Sequence, residues 1–210
     1  MKLIGLTGKA GSGKDHVCRI LQTLFPGTVR VAFADGIKTD IEQALGAHTI
    51  PALHNKPYTH ETRSLLQWWG TELRRSRDPE YWVSIALPKI ELARVQGAPL
   101  VVVTDVRYEN EAETIDALWG LVVKVEAADL IRKERLGGTL PPDHLSERLG
   151  FPVQASIVNN SEPIADDETV KWLGLDPLCL HCHRLVLHNH HDSGETTGWT
   201  QPPEPYLVQL

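Results

Sequence analysis

The first residues able to do chemistry stand in one unbroken run: Gly8, Lys9, Ala10, Gly11, Ser12, Gly13 and Lys14 satisfy G-x-x-x-x-G-K. Glycines at that spacing let backbone amides close around a β-phosphate, and a helix beginning at the loop adds the positive end of its dipole. Lys14 is then placed to reach β- and γ-phosphate oxygens and to follow their charge during transfer. Asp15 stands where a serine or threonine hydroxyl usually holds Mg²⁺, and a carboxylate is an equally hard ligand, directly or through water. Gly8 to Lys14, with Asp15 and His16, form the candidate ATP site.

A second group lies on a predicted helix over residues 61–76. At about 100° per residue, Arg63, Gln67, Thr71 and Arg74 share a sector of about 80°. Leu65, Leu66, Trp69 and Leu73 form a separate apolar arc expected to face the core. Two arginines and an amide suit a nucleotide: guanidinium pairs with phosphate, and Gln67 reads a base edge. Gly70 on the rim is expected to let a ligand approach closely. An ordinary solvated helix face is the plainer reading.

Asp35 ends an apolar run, with Lys38 a helical turn later, so Asp35 reads as a helix N-cap or as part of a ligand pocket. Asp105 ends the buried-type strand Val101-Val102-Val103-Thr104 and should face the phosphate loop, because ligands gather at the carboxyl ends of parallel strands. It is a second candidate Mg²⁺ partner, or a fixing group for Arg107, which would bind substrate phosphate; an ion pair of purely structural role is the alternative. Arg132 and Lys133, on a helix before Gly137-Gly138 and Pro141-Pro142, suggest a lid whose cations close over the transferring phosphate, or a charged surface helix. Cys179-x-x-Cys182 with His188 and His190 could hold structural Zn²⁺, though the histidine spacing fits no known finger pattern.

The elements needed to position these groups are legible. Strands are expected over 2–7, 29–34, 100–105, 121–125 and 156–158. Helices are expected over 13–25, 36–45, 61–76, 81–96 (interrupted by Pro88), 109–119, 129–136 and 166–173. Alternation of strand and helix predicts an α/β three-layer sandwich with a largely parallel sheet, the P-loop NTPase arrangement with a lid. Composition changes at Asp176-Pro177, and five of the ten histidines fall within 181–191. This divides the chain into 1–175, a kinase-like domain, and 176–210, a Cys/His-rich tail read as a small unit or an extension.

Gly8 to Asp15 resembles the phosphate loop of bacteriophage deoxynucleoside monophosphate kinases, in which Lys-Asp replaces Lys-Ser/Thr. The likeness continues through Phe33-Ala34-Asp35-Gly36-Ile37-Lys38, Thr62 to Glu72, and Asp105-Val106-Arg107-Tyr108-Glu109-Asn110-Glu111-Ala112. It ends near Asp143-His144-Leu145-Ser146-Glu147 and Asn159-Asn160, covering roughly residues 1–174. The family usually has Thr where this chain has His16. The resemblance implies that the Asp35–Lys38 segment borders a monophosphate pocket, adds Trp68 to the substrate set, and implies transfer of the ATP γ-phosphate to a deoxynucleoside monophosphate. It assigns no chemical role to His144, Ser146 or Glu147.

Bulk properties agree. The chain has 210 residues, 41% hydrophobic and 23% charged, with a formal charge of −6. That composition is globular, and the mildly acidic balance disfavours a grip on long nucleic acid and suits small anionic ligands held by local cations; the motifs and the resemblance make nucleotides the expected partners. No apolar run approaches the roughly 20 residues of a membrane helix. Three cysteines make no disulfide framework, so a reducing cytoplasm, that of a host cell if phage-encoded, is expected. A homodimer is compatible with all of this. The rival readings are a P-loop kinase of another small metabolite, such as a coenzyme precursor, and a non-catalytic nucleotide-binding module. A GTPase is disfavoured because Asn55-Lys56-Pro57-Tyr58 lacks the acid of the guanine-reading motif.

Overall fold

The computed structural model describes residues 2–56, 58–140, 150–158 and 184–187. The apolar run Lys2–Thr7 (β1) occupies the middle of a sheet ordered β2-β3-β1-β4-β5-β6. The other strands are Val29–Val31 (β2), Leu100–Val103 (β3), Leu121–Glu126 (β4), Ala155–Val158 (β5) and Arg184–Leu187 (β6), with β3 and β4 flanking β1. The first five run parallel; β6 pairs antiparallel with β5.

Both faces of the sheet are covered, which is why its strands are apolar at successive positions rather than alternating with polar ones. Leu3, Val101, Val103 and Val122 point to one face, packing with Trp82, Val83, Ala86 and Ile90 of Tyr81–Val95 (α5) and Ala112 and Ile115 of Glu109–Ala117 (α6). Ile4, Leu6, Leu100, Val102, Val123 and Val125 point to the other, against Val17, Cys18 and Leu21 of Lys14–Leu24 (α1). The two-residue period of the strands thus divides one apolar run into two cores. This is the expected α/β three-layer sandwich of P-loop NTPases.

Three boundaries depart from expectation. β2 stops at Val31, and Phe33–Ala44 (α2) begins three residues earlier than its own sequence suggests. Its first amides are capped from a distance: Phe33 and Ala34 N–H donate to the two oxygens of Asp105 at 2.9 and 2.8 Å. α5 runs unbroken through Pro88, because Pro88 and Ser84 lie on its exposed face, where the carbonyl freed by the missing N–H meets solvent.

The predicted helix over 61–76 is two structures: His60–Gln67 (α4), capped by Thr59, and a π-helical segment, Trp68–Arg75. The wider π turn changes the faces. Thr62, Gly70 and Arg75 are buried, while Leu65 and Trp68 are 36% and 50% exposed. Of the predicted apolar arc, Trp69 packs against the core and Leu65 faces solvent, so the arc forms only part of the packing surface. Gly70 forms another part: a Cβ there would lie 2.7 Å from Ile37 Cδ1 of α2, and its carbonyl accepts from Trp82 Nε1 at 2.8 Å. The missing side chain admits a neighbouring helix, and Gly70 also lines the cleft described below. Two short helices, Pro51–His54 (α3) and Asp129–Arg135 (α7), complete the described elements.

Candidate active site

The phosphate loop leaves β1 at Gly8 and enters α1 at Lys14, as its spacing requires. Gly8 has φ 137°, and a Cβ there would sit 2.2 Å from the carbonyl oxygen of Val125, so only glycine fits. Gly13 holds the N-cap position, with its carbonyl accepting from His16 and Val17 amides at 2.9 and 3.0 Å. Lys14 Nζ donates to the carbonyls of Gly8 and Lys9, the latter at 3.1 Å. The ammonium therefore lies over the loop's own backbone, where phosphate oxygens would compete for it.

Helix α7 does not stand off as a lid. Arg132 is 5% exposed; its Nε donates to the Ala10 carbonyl at 2.8 Å and its Nη1 to Asp129 at 2.6 Å. Arg135 donates to the Gly11 and Ser12 carbonyls at 3.2 and 3.4 Å. Arg132, expected to close over the transferring phosphate, is bonded here to the loop's own backbone and braces it. Lys133 is exposed.

Cations and carboxylates flank the loop. Asp15 pairs with Lys56 at 2.6 Å. Burial raises its carboxyl's affinity for a proton, but the bond and charge of Lys56, with Arg30 and Lys14 nearby, outweigh that and hold it ionised below the usual range. Asp35 lies in the first turn of α2, bonded to Arg30 at 2.6 Å and to Lys38 at 3.3 Å. It is neither a strand end nor the N-cap. Arg30, on β2, was not singled out by sequence; its charge acts on Asp35, Asp105 and Asp15 together. Its signal was an arginine two positions before a buried Ala32-Phe33 pair, too common to read alone.

Asp105 follows β3 beside the loop, since β1 and β3 pair in register from Lys2↔Leu100 to Gly5↔Val103. Burial pushes its carboxyl up in pKa, against the pull of the Ala34 and Phe33 amides and of Arg107. Each of its oxygens accepts from one amide of α2, so it caps that helix from a distance.

Next to it opens a cleft of about 140 Å³. Phe33, Ala34, Ile37, Leu66, Gly70, Tyr58 and Trp82 give its largely apolar surface, and Arg63, Gln67, Thr71, Arg107, Glu111 and Asp105 itself give polar groups. Arg63, Gln67 and Thr71 are brought together as the helical spacing predicts. Arg74 is not among the residues lining the cleft. The π turn directs it to Asp40, which accepts from its Nε and Nη2 at 2.7 and 2.9 Å, from Trp69 Nε1 at 2.6 Å and from the Tyr81 hydroxyl at 3.3 Å. Trp68 likewise lies outside the lining, and Asp35 and Lys38 stand beside it rather than in it. Tyr58 and Glu111 are cleft residues that sequence reasoning did not assign a role.

Among the described residues no group of three or more His, Cys, Asp or Glu is arranged to hold a metal ion. The Cys179, Cys182, His188 and His190 set and the His144, Ser146 and Glu147 motif lie outside the described residues, as does the helix expected over 166–173. No described helix is long and apolar enough to cross a membrane.

No curated protein matches this chain. Among solved structures it is similar to TT1252 from Thermus thermophilus, at 19% identity over 64% of this chain and 70% of that one, with a TM-score of 0.38. It is also similar to shikimate kinase from Acinetobacter baumannii in complex with shikimate, at 18% identity over 71% and 72%, TM-score 0.38. A gluconokinase from Sinorhizobium meliloti 1021 matches at 15% identity over 85% and 89%, TM-score 0.40. Likenesses this remote bear on neither site nor substrate. The sequence model of the phosphomevalonate kinase family, by contrast, matches residues 6–120, from the end of β1 to the turn before β4. Since that span holds the phosphate loop, the cleft and more than half of the 210 residues, the chain belongs to the phosphomevalonate kinase family of P-loop kinases.

Proposed function

We propose that the protein transfers the γ-phosphate of ATP to the phosphate group of a deoxynucleoside monophosphate, giving ADP and a deoxynucleoside diphosphate. The observation that carries this reading is the composition of the cleft beside the loop. Arg63 and Arg107 offer two cations to an acceptor dianion, Gln67 an amide to a base edge, and Phe33, Tyr58 and Trp82 flat apolar surface to a planar ring. The resemblance to phage kinases supports the nucleotide. The family match favours a second acceptor of the same chemical kind, phosphomevalonate, a phosphate monoester without a ring. Both readings place phosphate against phosphate.

Catalysis then consists of positioning and charge stabilisation. Lys14 exchanges the carbonyls of Gly8 and Lys9 for β- and γ-phosphate oxygens. Arg132 holds Ala10 so that the loop keeps its shape while charge moves through it. Arg63 and Arg107 hold the acceptor phosphate in line. Its oxygen is already anionic, so no general base is required. Mg²⁺ asks for one or two carboxylates beside phosphate oxygens and water, and Asp15, ionised and next to Lys14, fits that role. When bound with ATP, Mg²⁺ would neutralise charge on the β- and γ-phosphates.

A panel read by ADP release tests the proposal: the four common deoxynucleoside monophosphates, their ribose counterparts, and phosphomevalonate. At least one deoxynucleotide should be turned over well above the ATPase background. Turnover of phosphomevalonate alone would favour the second acceptor, and no acceptor-dependent ADP at all would leave a nucleotide-binding module.

A further inference from the structure

One buried carboxylate joins the two polar walls of the cleft. Glu111, in the first turn of α6, is 2% exposed yet lines the cleft. Its Oε2 accepts from the backbone amides of Arg107 at 2.8 Å and Tyr108 at 3.2 Å, tying down the peptide that carries the Arg107 side chain. Its Oε1 accepts from Arg75 Nη2, which comes from the π-helical segment opposite. Arg75 in turn donates to Asn110 Oδ1 at 2.8 Å and the Pro79 carbonyl at 3.0 Å, and lies 3.8 Å over the Tyr108 ring. The Tyr108 and Thr71 hydroxyls meet at 2.8 Å. The wall holding Gln67 and Thr71 and the wall holding Arg107 therefore share one ionic centre.

We propose that Glu111 is a positioning residue for the acceptor: its negative charge, gripped by Arg75, fixes Arg107 relative to the Gln67–Thr71 wall. The inference rests on the reading of this cleft as the acceptor site. A buried ion pair is by itself weak evidence of a stabilising role, because apolar residues of similar volume avoid the cost of desolvating two charges. An apolar pair could not, however, hold the Arg107 amide. The geometry thus serves orientation more than stability.

The charge can be removed by titration as well as by mutation. Burial pushes the Glu111 carboxyl up to about 7. The charge of Arg75 from the π segment and the amides of Arg107 and Tyr108 oppose that rise; Asp105 adds to it. Protonated Glu111 has the shape and charge of glutamine.

The test uses the full chain and the four common deoxynucleoside monophosphates in turn, with phosphomevalonate as a fifth acceptor. KM for acceptor and for ATP, and the melting temperature, are measured at pH 8 and pH 6. Wild type, Glu111→Gln and the double variant Glu111→Gln/Arg75→Met are compared. At pH 8, Glu111→Gln should raise acceptor KM by about tenfold or more while ATP KM moves less than about twofold. The variant-to-wild-type ratio of acceptor KM should fall toward one at pH 6, and titration of the acceptor's own phosphate cancels in that ratio. The double variant, freed of an unpaired buried cation, should regain melting temperature but not acceptor KM. Equal shifts in both KM values, a ratio indifferent to pH, or recovery of acceptor KM together with melting temperature would each overturn the positioning role. If wild type uses phosphomevalonate alone, the nucleotide reading fails while the same KM comparison still decides on Glu111; if it uses none of the five, both fail.

Discussion

The guanidinium of Arg132 donates from Nε to the carbonyl oxygen of Ala10 at 2.8 Å, across 122 positions of sequence. The bond is buried and connects α7 to the backbone of the phosphate loop, with Asp129 balancing the charge at 2.6 Å. An arginine so placed acts on phosphate through the backbone it supports.

Replacing Arg132 by Ala should therefore cost stability, about 1–3 kcal/mol for a buried charged donor lost, and should raise ATP KM. An arginine that reached the transferring phosphoryl group would instead lower kcat by about 10³–10⁵ with little change in stability. Thermal denaturation together with steady-state kinetics on the one variant distinguishes the two.

Gly8→Ala should be among the most damaging single changes in the chain. The new methyl would meet the Val125 carbonyl at 2.2 Å in a backbone at φ 137°, combining overpacking with left-handed strain. Together these cost roughly 2–6 kcal/mol. Denaturant unfolding of whatever folded protein is recovered measures the loss; a variant within about 0.5 kcal/mol of wild type would mean that β4 does not abut the loop.

Arg63 and Arg74 should part company. Arg63→Ala removes a cleft cation and should raise acceptor KM about tenfold or more. Arg74→Ala breaks the bidentate bond to Asp40, which also bears Trp69 and Tyr81, and should lower the melting temperature while leaving acceptor KM within about twofold. Equal KM effects would place Arg74 in the cleft.

That contrast marks where sequence reasoning reached its limit. The phosphate loop, the order of strands and helices, and the grouping of Arg63, Gln67 and Thr71 follow from local spacing. Arg74 was misplaced because a π turn breaks the period on which the spacing rested, and nothing local in Trp68-Trp69-Gly70-Thr71 announces one. Its cause lies elsewhere, in contacts of Gly70 with Ile37 and Trp82. The early start of α2 depends likewise on Asp105, more than 70 residues away. Arg132 could not be read as a brace without knowing that α7 returns to the loop. Charged residues whose partners are distant in sequence were the ones assigned to ligand by default.

Stability should also carry a signature of Glu111. Its carboxyl is raised in the fold to about 7 from the ordinary value, so the native state binds this proton more tightly than the unfolded chain. The contribution is fully present below the unfolded pKa of about 4.3 and is lost as pH rises through about 7. Asp40, lowered on balance because Trp69, Arg74 and Tyr81 outweigh its burial, acts oppositely: its contribution is present above the unfolded pKa and lost in acid as pH falls through its depressed value. Melting curves between pH 5 and 8 should therefore show a decline in wild type that Glu111→Gln makes shallower, leaving the part due to the raised carboxyl of Asp105. Identical slopes would show that Glu111 is ionised throughout.

The most direct measurement follows labelled γ-phosphate from ATP in the presence and absence of each deoxynucleoside monophosphate, with wild type and Lys14→Met side by side. The account predicts label in the deoxynucleoside diphosphate, strictly dependent on acceptor, and reduced about a hundredfold or more in the variant. Label that appears only as inorganic phosphate, or transfer that survives without Lys14, would contradict it.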